Sequence, residues 1–289
     1  MTVGTHARRV RTHVTGAASA AVRPVLESPR RPARVLAAFP AGVYLEIRTE
    51  LEPSVIAVVT GAATRLPNAV LLAGTLPRVT MGDEAFVGDG SVDLGGLSLR
   101  ARRWWDPAPP LGEVDPAALP PPSALAGCGE PGLAGNDAIE LLAASCASGW
   151  LLGAVTAAER LVGLGPGLTP SGDDVLAGLL VTLRHLGRAT GAARALDLAG
   201  WLAATVTFDA RTRTTPISAT LLHCAARGES CPEVIAALRG LAGRQPLEPA
   251  LRRLCGLGHT SGADLAQGVA IGLETVRALS GPAARGGRG

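Results

Sequence analysis

The residues best suited to chemistry lie in one run of the sequence, between Gly163 and Asp174. The run combines glycines and prolines with Thr169, Ser171 and the adjacent carboxylates Asp173 and Asp174, directly before an apolar segment. Glycine lets a backbone N–H approach a ligand closely, because it has no Cβ, and the N–H groups at a helix start attract anions. A Thr-Pro pair followed by acids also marks a helix start. The run therefore predicts a loop and helix start that bind a small anion.

The pattern Ser-Gly-x-Asp-x-x-x-Gly occurs twice, beginning at Ser171 and again at Ser261, 261 − 171 = 90 residues later. On a helix, positions i, i+3 and i+7 lie on one stripe, so the serine, the aspartate and the last glycine of each copy face the same way. The last glycine, Gly178 or Gly268, would let another helix or a ligand approach closely. We predict two helix starts that converge on one polar site. Two ordinary helices with capping Ser and Asp side chains are the alternative.

A third helix start is predicted at Thr215, where a Thr-Pro pair again precedes an apolar segment. Arg211 and Arg213 stand just before it. Guanidinium groups and helix N–H groups both favour oxyanions, so this start would add an anion clamp to the other two. A solvated basic turn is the alternative for this segment.

The composition limits the functional classes. All 27 basic residues are arginine, the formal net charge is +3 and aromatic residues make up 3% of the chain. This composition lacks the charge and the stacking aromatics of a nucleic-acid-binding protein. No apolar run has the length of a transmembrane helix, and no secretory signal follows Arg8 and Arg9. We expect a cytoplasmic protein with neither a nucleic-acid nor a membrane partner.

The five cysteines do not form a metal-binding pattern. Cys128, Cys146, Cys224, Cys231 and Cys255 are scattered and odd in number, without the spacing of a zinc site. We therefore expect buried free thiols in a reducing compartment.

The chain has two kinds of hydrophobic pattern, one in each half, and together they predict an α+β fold. Short apolar runs broken by turn residues over 34–107 indicate a β-rich module, either a small barrel or a sandwich. From residue 136 to 289 the period becomes helical, which indicates a mostly α-helical domain that carries the anion site. The Pro/Gly-rich stretch 108–135 is predicted to be a linker and 1–33 a flexible basic tail. The predicted helices span 136–162, 170–190, 192–209, 216–227, 232–242, 247–255 and 261–280.

The stretch Gly165–Asp174, Gly-Pro-Gly-Leu-Thr-Pro-Ser-Gly-Asp-Asp, is similar to the signature of a bacterial family long labelled as a domain of unknown function. The best-described member of that family is the AllH-type subunit of oxamate carbamoyltransferase, from anaerobic allantoin degradation. Val92–Pro107, Thr214–Ser218 and Thr260–Asp264 fit the same family, so the resemblance extends over most of the chain from about residue 34. It implies a part in moving a carbamoyl group between oxalurate and phosphate, which yields oxamate and carbamoyl phosphate. It also implies two protein partners, one of which resembles acyl-CoA synthetase subunits.

These ligands are small anions, which suit clustered helix starts, and carbamoyl transfer passes through an oxyanion that N–H groups and an arginine would stabilise. Asp174 and Asp264 would repel a bare anion, so we expect them to orient an NH₂ group, act as a base or hold a divalent cation such as Mg²⁺. His259 is a candidate proton carrier or a structural histidine. The catalytic candidates are thus Asp174, Asp264 and His259. The substrate-binding candidates are Gly165, Gly167, Thr169, Ser171, Gly172, Asp173, Arg213, Thr215, Ser218, Thr260, Ser261 and Gly262.

Three hypotheses for function follow. The first is an enzyme component, a subunit of a carbamoyl-transferring complex. The second is a binding module without chemistry, which holds a small carboxylate or phosphate metabolite for a partner. The third is a metal-dependent hydrolase in which Asp173, Asp174 and Asp264 bind Mg²⁺ or Mn²⁺.

Overall fold

The computed structural model describes residues 12–280, which fall into two compact units with the boundary between Asp106 and Pro107. The first unit is a closed eight-stranded β-barrel with the strand order β1-β5-β4-β3-β2-β6-β7-β8. The second unit is mostly helical. The α+β prediction is confirmed, and so is the barrel, whereas the alternative of a sandwich is wrong. The strands are β1 Thr12–Ser19, β2 Arg31–Phe39, β3 Gly42–Ile47, β4 Val55–Thr60, β5 Ala69–Leu72, β6 Glu84–Gly88, β7 Ser91–Leu94 and β8 Leu97–Trp105.

The barrel closes through β1, which lies in the stretch predicted to be a basic tail. β1 pairs in parallel with β8 and antiparallel with β5, so it joins the two ends of the sheet. A Cβ on Gly16 would lie 2.2 Å from the Leu71 carbonyl oxygen, so this pairing needs glycine. The stretch 20–26 continues as a 3-10 turn and a short helix α1, Arg23–Leu26, whose Val25 and Leu26 are fully buried. Within 1–33, residues 12–33 are therefore part of the barrel unit, and residues 1–11 lie outside the described part.

β6 and β7 form a hairpin with a tight turn. Asp89 and Gly90 form a two-residue turn, with positive φ angles of 52° and 77°. Such a turn suits the right-handed twist of an antiparallel pair. The strand that follows has only four residues, too few to give a clear alternating pattern.

The second unit contains nine α-helices among the described residues. The helix predicted over 136–162 is two helices, because Gly149 adopts a left-handed conformation (φ 72°) and ends the first of them. The other predicted helices are confirmed to within two residues, and one short helix is added between the fifth and the seventh. The helices are α2 Asp137–Ser148, α3 Leu151–Leu161, α4 Ser171–Thr190, α5 Ala193–Phe208, α6 Ala210–Arg213, α7 Pro216–Ala226, α8 Pro232–Leu241, α9 Leu247–Cys255 and α10 Ser261–Leu279.

The stretch predicted to be a linker packs against these helices. Leu111, Leu119 and Leu125 are buried in the helical core. Arg244 and Arg277 donate to backbone carbonyls of this stretch, at Leu111 and Glu113 and at Leu119, respectively. Its few leucines are separated by prolines, so they show no helical or strand period although they are core residues. The helical unit therefore begins at about residue 107.

The two long helices α4 and α10 cross at very close range. A Cβ on Gly178 would lie 2.3 Å from the Leu265 carbonyl oxygen, and a Cβ on Gly268 would lie 2.0 Å from the Val175 carbonyl oxygen. The contact is reciprocal, since each glycine faces the backbone of the other helix. The predicted close approach at these two glycines is confirmed, and the approaching group is a helix.

The cysteine prediction is partly wrong. Cys128 and Cys255 form a disulfide within the second unit, whereas Cys146, Cys224 and Cys231 are buried and form no disulfide within residues 12–280. The spacing of 127 residues gave no sign of the pair. In residues 12–280, no helix combines the length and the apolar character needed to cross a membrane.

Candidate functional site

The starts of α4 and α10 lie side by side. The hydroxyls of Thr169 and Ser261, from the residues just before α4 and at the start of α10, are 3.2 Å apart. Ser171 and Asp264 are also adjacent, because a Cβ on Gly132 would lie 2.3 Å from Ser171 Oγ and 3.5 Å from Asp264 Oδ2. The two copies of the Ser-Gly-x-Asp pattern therefore face each other, as the sequence predicts.

Asp174 is a buried carboxyl group at this junction. Burial raises its pKa to about 7, from an ordinary value of 3.8. The hydroxyls of Ser261 and Thr169 lower the pKa in part, whereas the nearby carboxylates of Asp264 and Asp173 raise it. A group with this pKa exchanges its proton near neutrality, as a general acid or base does.

Asp174 and Asp264 each retain an oxygen without a partner. Asp264 is fully buried, and its Oδ1 accepts a hydrogen bond of 2.8 Å from the Gly132 N–H. Its Oδ2 makes no hydrogen bond within residues 12–280, and the same is true of Asp174 Oδ2, in a residue that is 8% exposed. Buried polar atoms in proteins are nearly always hydrogen-bonded, so two such oxygens at one place indicate a ligand.

Asp173 has a different role from its neighbour. It is buried, and its Oδ1 accepts from the Gly163 N–H at 2.8 Å, while its Oδ2 accepts from Ser218 Oγ at 2.6 Å and from Thr214 Oγ1. The first contact joins the loop before α4 to the start of α4, and the other two join the start of α7 to it. Asp173 and Ser218, predicted to bind substrate, thus position the elements around the site.

The start of α7 is the third helix start at the site. Thr215 caps the helix, because its Oγ1 accepts from the Ser218 N–H at 3.1 Å, and it donates to the Leu168 carbonyl oxygen at 2.5 Å. The starts of α4, α7 and α10 therefore converge. Asp173 joins the start of α4 to that of α7, and the Thr169–Ser261 contact joins it to the start of α10.

The loop before α4 presents backbone donors. In residues 12–280 the N–H groups of Gly165, Gly167, Leu168 and Thr169 donate to no acceptor. Gly165 and Gly167 have positive φ angles, 117° and 97°, and Gly167 and Leu168 are exposed. Unpaired N–H groups next to a helix start are donors of the kind that anions bind in other proteins.

Two of the predicted glycines serve packing. A Cβ on Gly172 would lie 2.1 Å from the Leu161 carbonyl oxygen, and a Cβ on Gly262 would lie 2.2 Å from the Leu254 carbonyl oxygen. Each glycine thus lets its helix start against the end of the preceding helix, α3 or α9. The N–H groups of Gly172 and Gly262 donate to Leu164 and Leu257, which leaves neither for a ligand.

The structure does not bring Arg213 and His259 to the carboxyl pair. Arg213 donates to the Glu159 carbonyl oxygen in α3, and its Nη1 lies 3.8 Å from Asp209 Oδ2. His259 is exposed in the loop before α10, and its imidazole forms no hydrogen bond within the described residues. Thr260 begins α10 without a side-chain capping bond, and its carbonyl oxygen accepts from the Asp264 N–H at 2.9 Å.

A metal site built from three acids has no support in the geometry. No three His, Cys, Asp or Glu side chains of the described residues are grouped to hold an ion. Asp173, the third acid of that hypothesis, has both oxygens occupied by donors of the protein.

The sequence analysis missed Gly132 and the disulfide. Gly132 lies in the predicted linker, 132 residues from Asp264 along the chain. Cys128 joins the segment that carries Gly132 to Cys255 at the end of α9, just before the loop to α10. The Pro/Gly-rich composition of this stretch is typical of linkers, so it did not indicate the contact of Gly132 with Asp264 or the disulfide.

These helix starts are also where the chain is similar to known proteins. Residues 161–273 match the family model described as oxamate carbamoyltransferase subunit AllH. The AllH match begins at the last residue of α3 and continues into α10, so it includes all three helix starts. The predicted resemblance is confirmed over this range, which contains Gly165–Asp174, Thr214–Ser218 and Thr260–Asp264, whereas Val92–Pro107 lies outside it. No solved structure matches the chain.

Proposed function

We propose that this chain is a subunit of an oxamate carbamoyltransferase-type complex and that its three converging helix starts bind a small anionic substrate. One observation carries the proposal. The AllH match covers the loop whose four backbone N–H groups lack acceptors, together with the starts of α4, α7 and α10. The part of the chain that resembles the family therefore contains these four donors.

The chemistry assigned to the complex needs such donors. When phosphate attacks the carbamoyl carbon of oxalurate, a C–O bond forms, the C–N bond to the oxamate part breaks and the departing nitrogen takes a proton. Oxalurate and oxamate both carry a carboxylate, which the N–H groups of Gly165, Gly167 and Leu168 are suited to bind so that the substrate is held for the attack. Asp174, with its pKa near 7, is suited to supply the proton.

Reconstitution with the other subunits of the complex tests this function. We expect phosphate-dependent release of oxamate from oxalurate to require the chain. We also expect Gly167→Ala to lower the rate at least about tenfold, because φ of 97° strains alanine and turns the loop N–H groups away. Gly243→Ala is the matched control, since Gly243 also has a positive φ (68°) and open space around it, in the turn after α8. An undiminished rate without the chain would show that the proposed function is wrong.

A binding module without chemistry is the second candidate. The exposure of His259 favours it, because one of the three predicted catalytic side chains then faces solvent. This candidate predicts that the chain binds carbamoyl phosphate or oxamate while the reconstituted rate stays the same in its absence.

A further inference from the structure

We propose that Asp174 and Asp264 together bind the NH₂ group of a primary carboxamide, and so select such a substrate against the carboxylate of the same shape. The inference rests on the proposed function, because it assigns a substrate group to the same helix starts. It goes further in naming the two residues that determine specificity.

Asp174 and Asp264 each carry a carboxyl oxygen without a hydrogen-bond partner among the described residues. Asp264 is fully buried and Asp174 nearly so, yet Oδ2 of each lacks a donor within residues 12–280. A buried acceptor left unpaired destabilises the fold, and more so when it is charged. The two acids lie at equivalent positions of facing helices, and Asp264 is near enough to raise the pKa of Asp174, so a single donor group between them would serve both oxygens.

A neutral NH₂ group is the donor that suits this pair of oxygens. A bare anion would be repelled by the pair, and a divalent cation would find no third acid among the described residues. Arg213 is engaged with Glu159 and Asp209. A neutral NH₂ group has two N–H donors, one for each oxygen, and it enters a buried site without the cost of a charge. Burial also raises the pKa of Asp174 to about 7, which limits the negative charge on this carboxyl group.

The loop before α4 forms the complementary half of the site. Gly165 lies against Ser171, which adjoins Asp264, and the loop that contains Gly165 offers the N–H groups of Gly165, Gly167 and Leu168. Donors on one side and acceptors on the other suit a short ligand with a carboxylate at one end and a carboxamide at the other. Oxamate has this form, and oxalate differs from it by an oxygen in place of the NH₂ group.

The test compares oxamate with oxalate as ligands of the full chain, by isothermal titration calorimetry at pH 7. For the wild type we expect oxamate to bind at least about tenfold more tightly, the effect of one hydrogen bond to a charged group plus the repulsion of oxalate. Asp264→Asn keeps an oxygen for the Gly132 N–H and places a donor where Oδ2 was. We expect this variant to prefer oxalate. Asp197→Asn, at an exposed position of α5, should keep the wild-type preference.

Each outcome supports or overturns the inference. Equal affinity for the two ligands, no binding of either one, or an unchanged preference in Asp264→Asn would overturn it. Should Asp264→Asn fail to fold by circular dichroism, Asp174→Asn serves in its place and must lose the preference for oxamate. If the chain prefers oxamate to oxalate but the reconstituted rate of oxamate release does not depend on the chain, the proposed function alone is overturned. If the chain binds oxamate and oxalate equally while the reconstituted rate requires the chain, the inference alone is overturned.

Discussion

Two adjacent aspartates at the start of α4 differ because their surroundings differ. Asp173 accepts hydrogen bonds from the Gly163 N–H and from the Thr214 and Ser218 hydroxyls, so its negative charge is compensated inside the protein. Asp174 keeps Oδ2 without a donor, and its burial raises its pKa, to which the carboxylates of Asp264 and Asp173 add, so its neutral form is favoured. Neighbouring residues of one type thus divide into a positioning group and a group available for chemistry.

The raised pKa of Asp174 predicts a loss of stability with rising pH. The folded pKa of about 7 is above the ordinary value of 3.8, so the stabilisation is complete below about pH 4 and is lost as the pH rises through 7. At 1.36 kcal/mol per pKa unit, the loss amounts to at most roughly 4 kcal/mol. Urea unfolding of the wild type and of Asp174→Asn between pH 4 and 8 measures it.

The control for this comparison is Asp197→Asn, which should follow the wild type because Asp197 is exposed on α5. We expect the difference in unfolding free energy between wild type and Asp174→Asn to grow with pH. Parallel curves for these two proteins would contradict the assigned pKa.

At the scale of the elements, the crossing of α4 and α10 determines how close the two helix starts can lie. Gly178 and Gly268 each occupy a place where a Cβ would overlap the backbone of the other helix. The distance between the Asp174 and Asp264 side chains therefore depends on glycines one turn further along each helix.

Gly178→Ala should separate the two helices and destabilise the protein by about 1–3 kcal/mol, as overpacking of a close contact does. The matched control is Gly200→Ala, in the middle of α5, where a Cβ meets no atom within 4 Å. That substitution should stabilise the protein by about 0.5–1 kcal/mol, because alanine is the better helix former. Thermal unfolding of both variants checks the pair, and equal effects would contradict the proposed role of the crossing.

The helix starts could be predicted from the sequence because their signals are local. Thr169 before Pro170 and Thr215 before Pro216 mark helix starts within a few residues, and the repeated Ser-Gly-x-Asp pattern indicated that two of them converge. The contact of Gly132 with Asp264 could not be predicted, since it joins residues far apart in the chain. The closing strand β1 was missed for a related reason. Its partners β5 and β8 lie more than 50 residues further along the chain, and its own pattern is weak.

At the scale of the whole molecule, the covalent link between Cys128 and Cys255 is expected to contribute strongly to the stability of the helical unit. It closes a loop of 127 residues, and the loss of chain entropy in the unfolded state corresponds to about 4–5 kcal/mol for a loop of this size. We expect Cys128→Ser to lower the unfolding free energy by about this amount in urea under oxidising conditions.

A reductant provides the internal control for this experiment. Dithiothreitol should lower the stability of the wild type towards that of Cys128→Ser and leave the variant unchanged. The same response to reductant in both proteins would show that the link contributes nothing in solution.

The same bond has a consequence for cleavage of the chain. The exposed segment around Pro166, Gly167 and Leu168 lies inside the ring that the disulfide closes. A protease that cuts this segment would leave one covalently joined molecule, and its two pieces would migrate separately on a gel only after reduction.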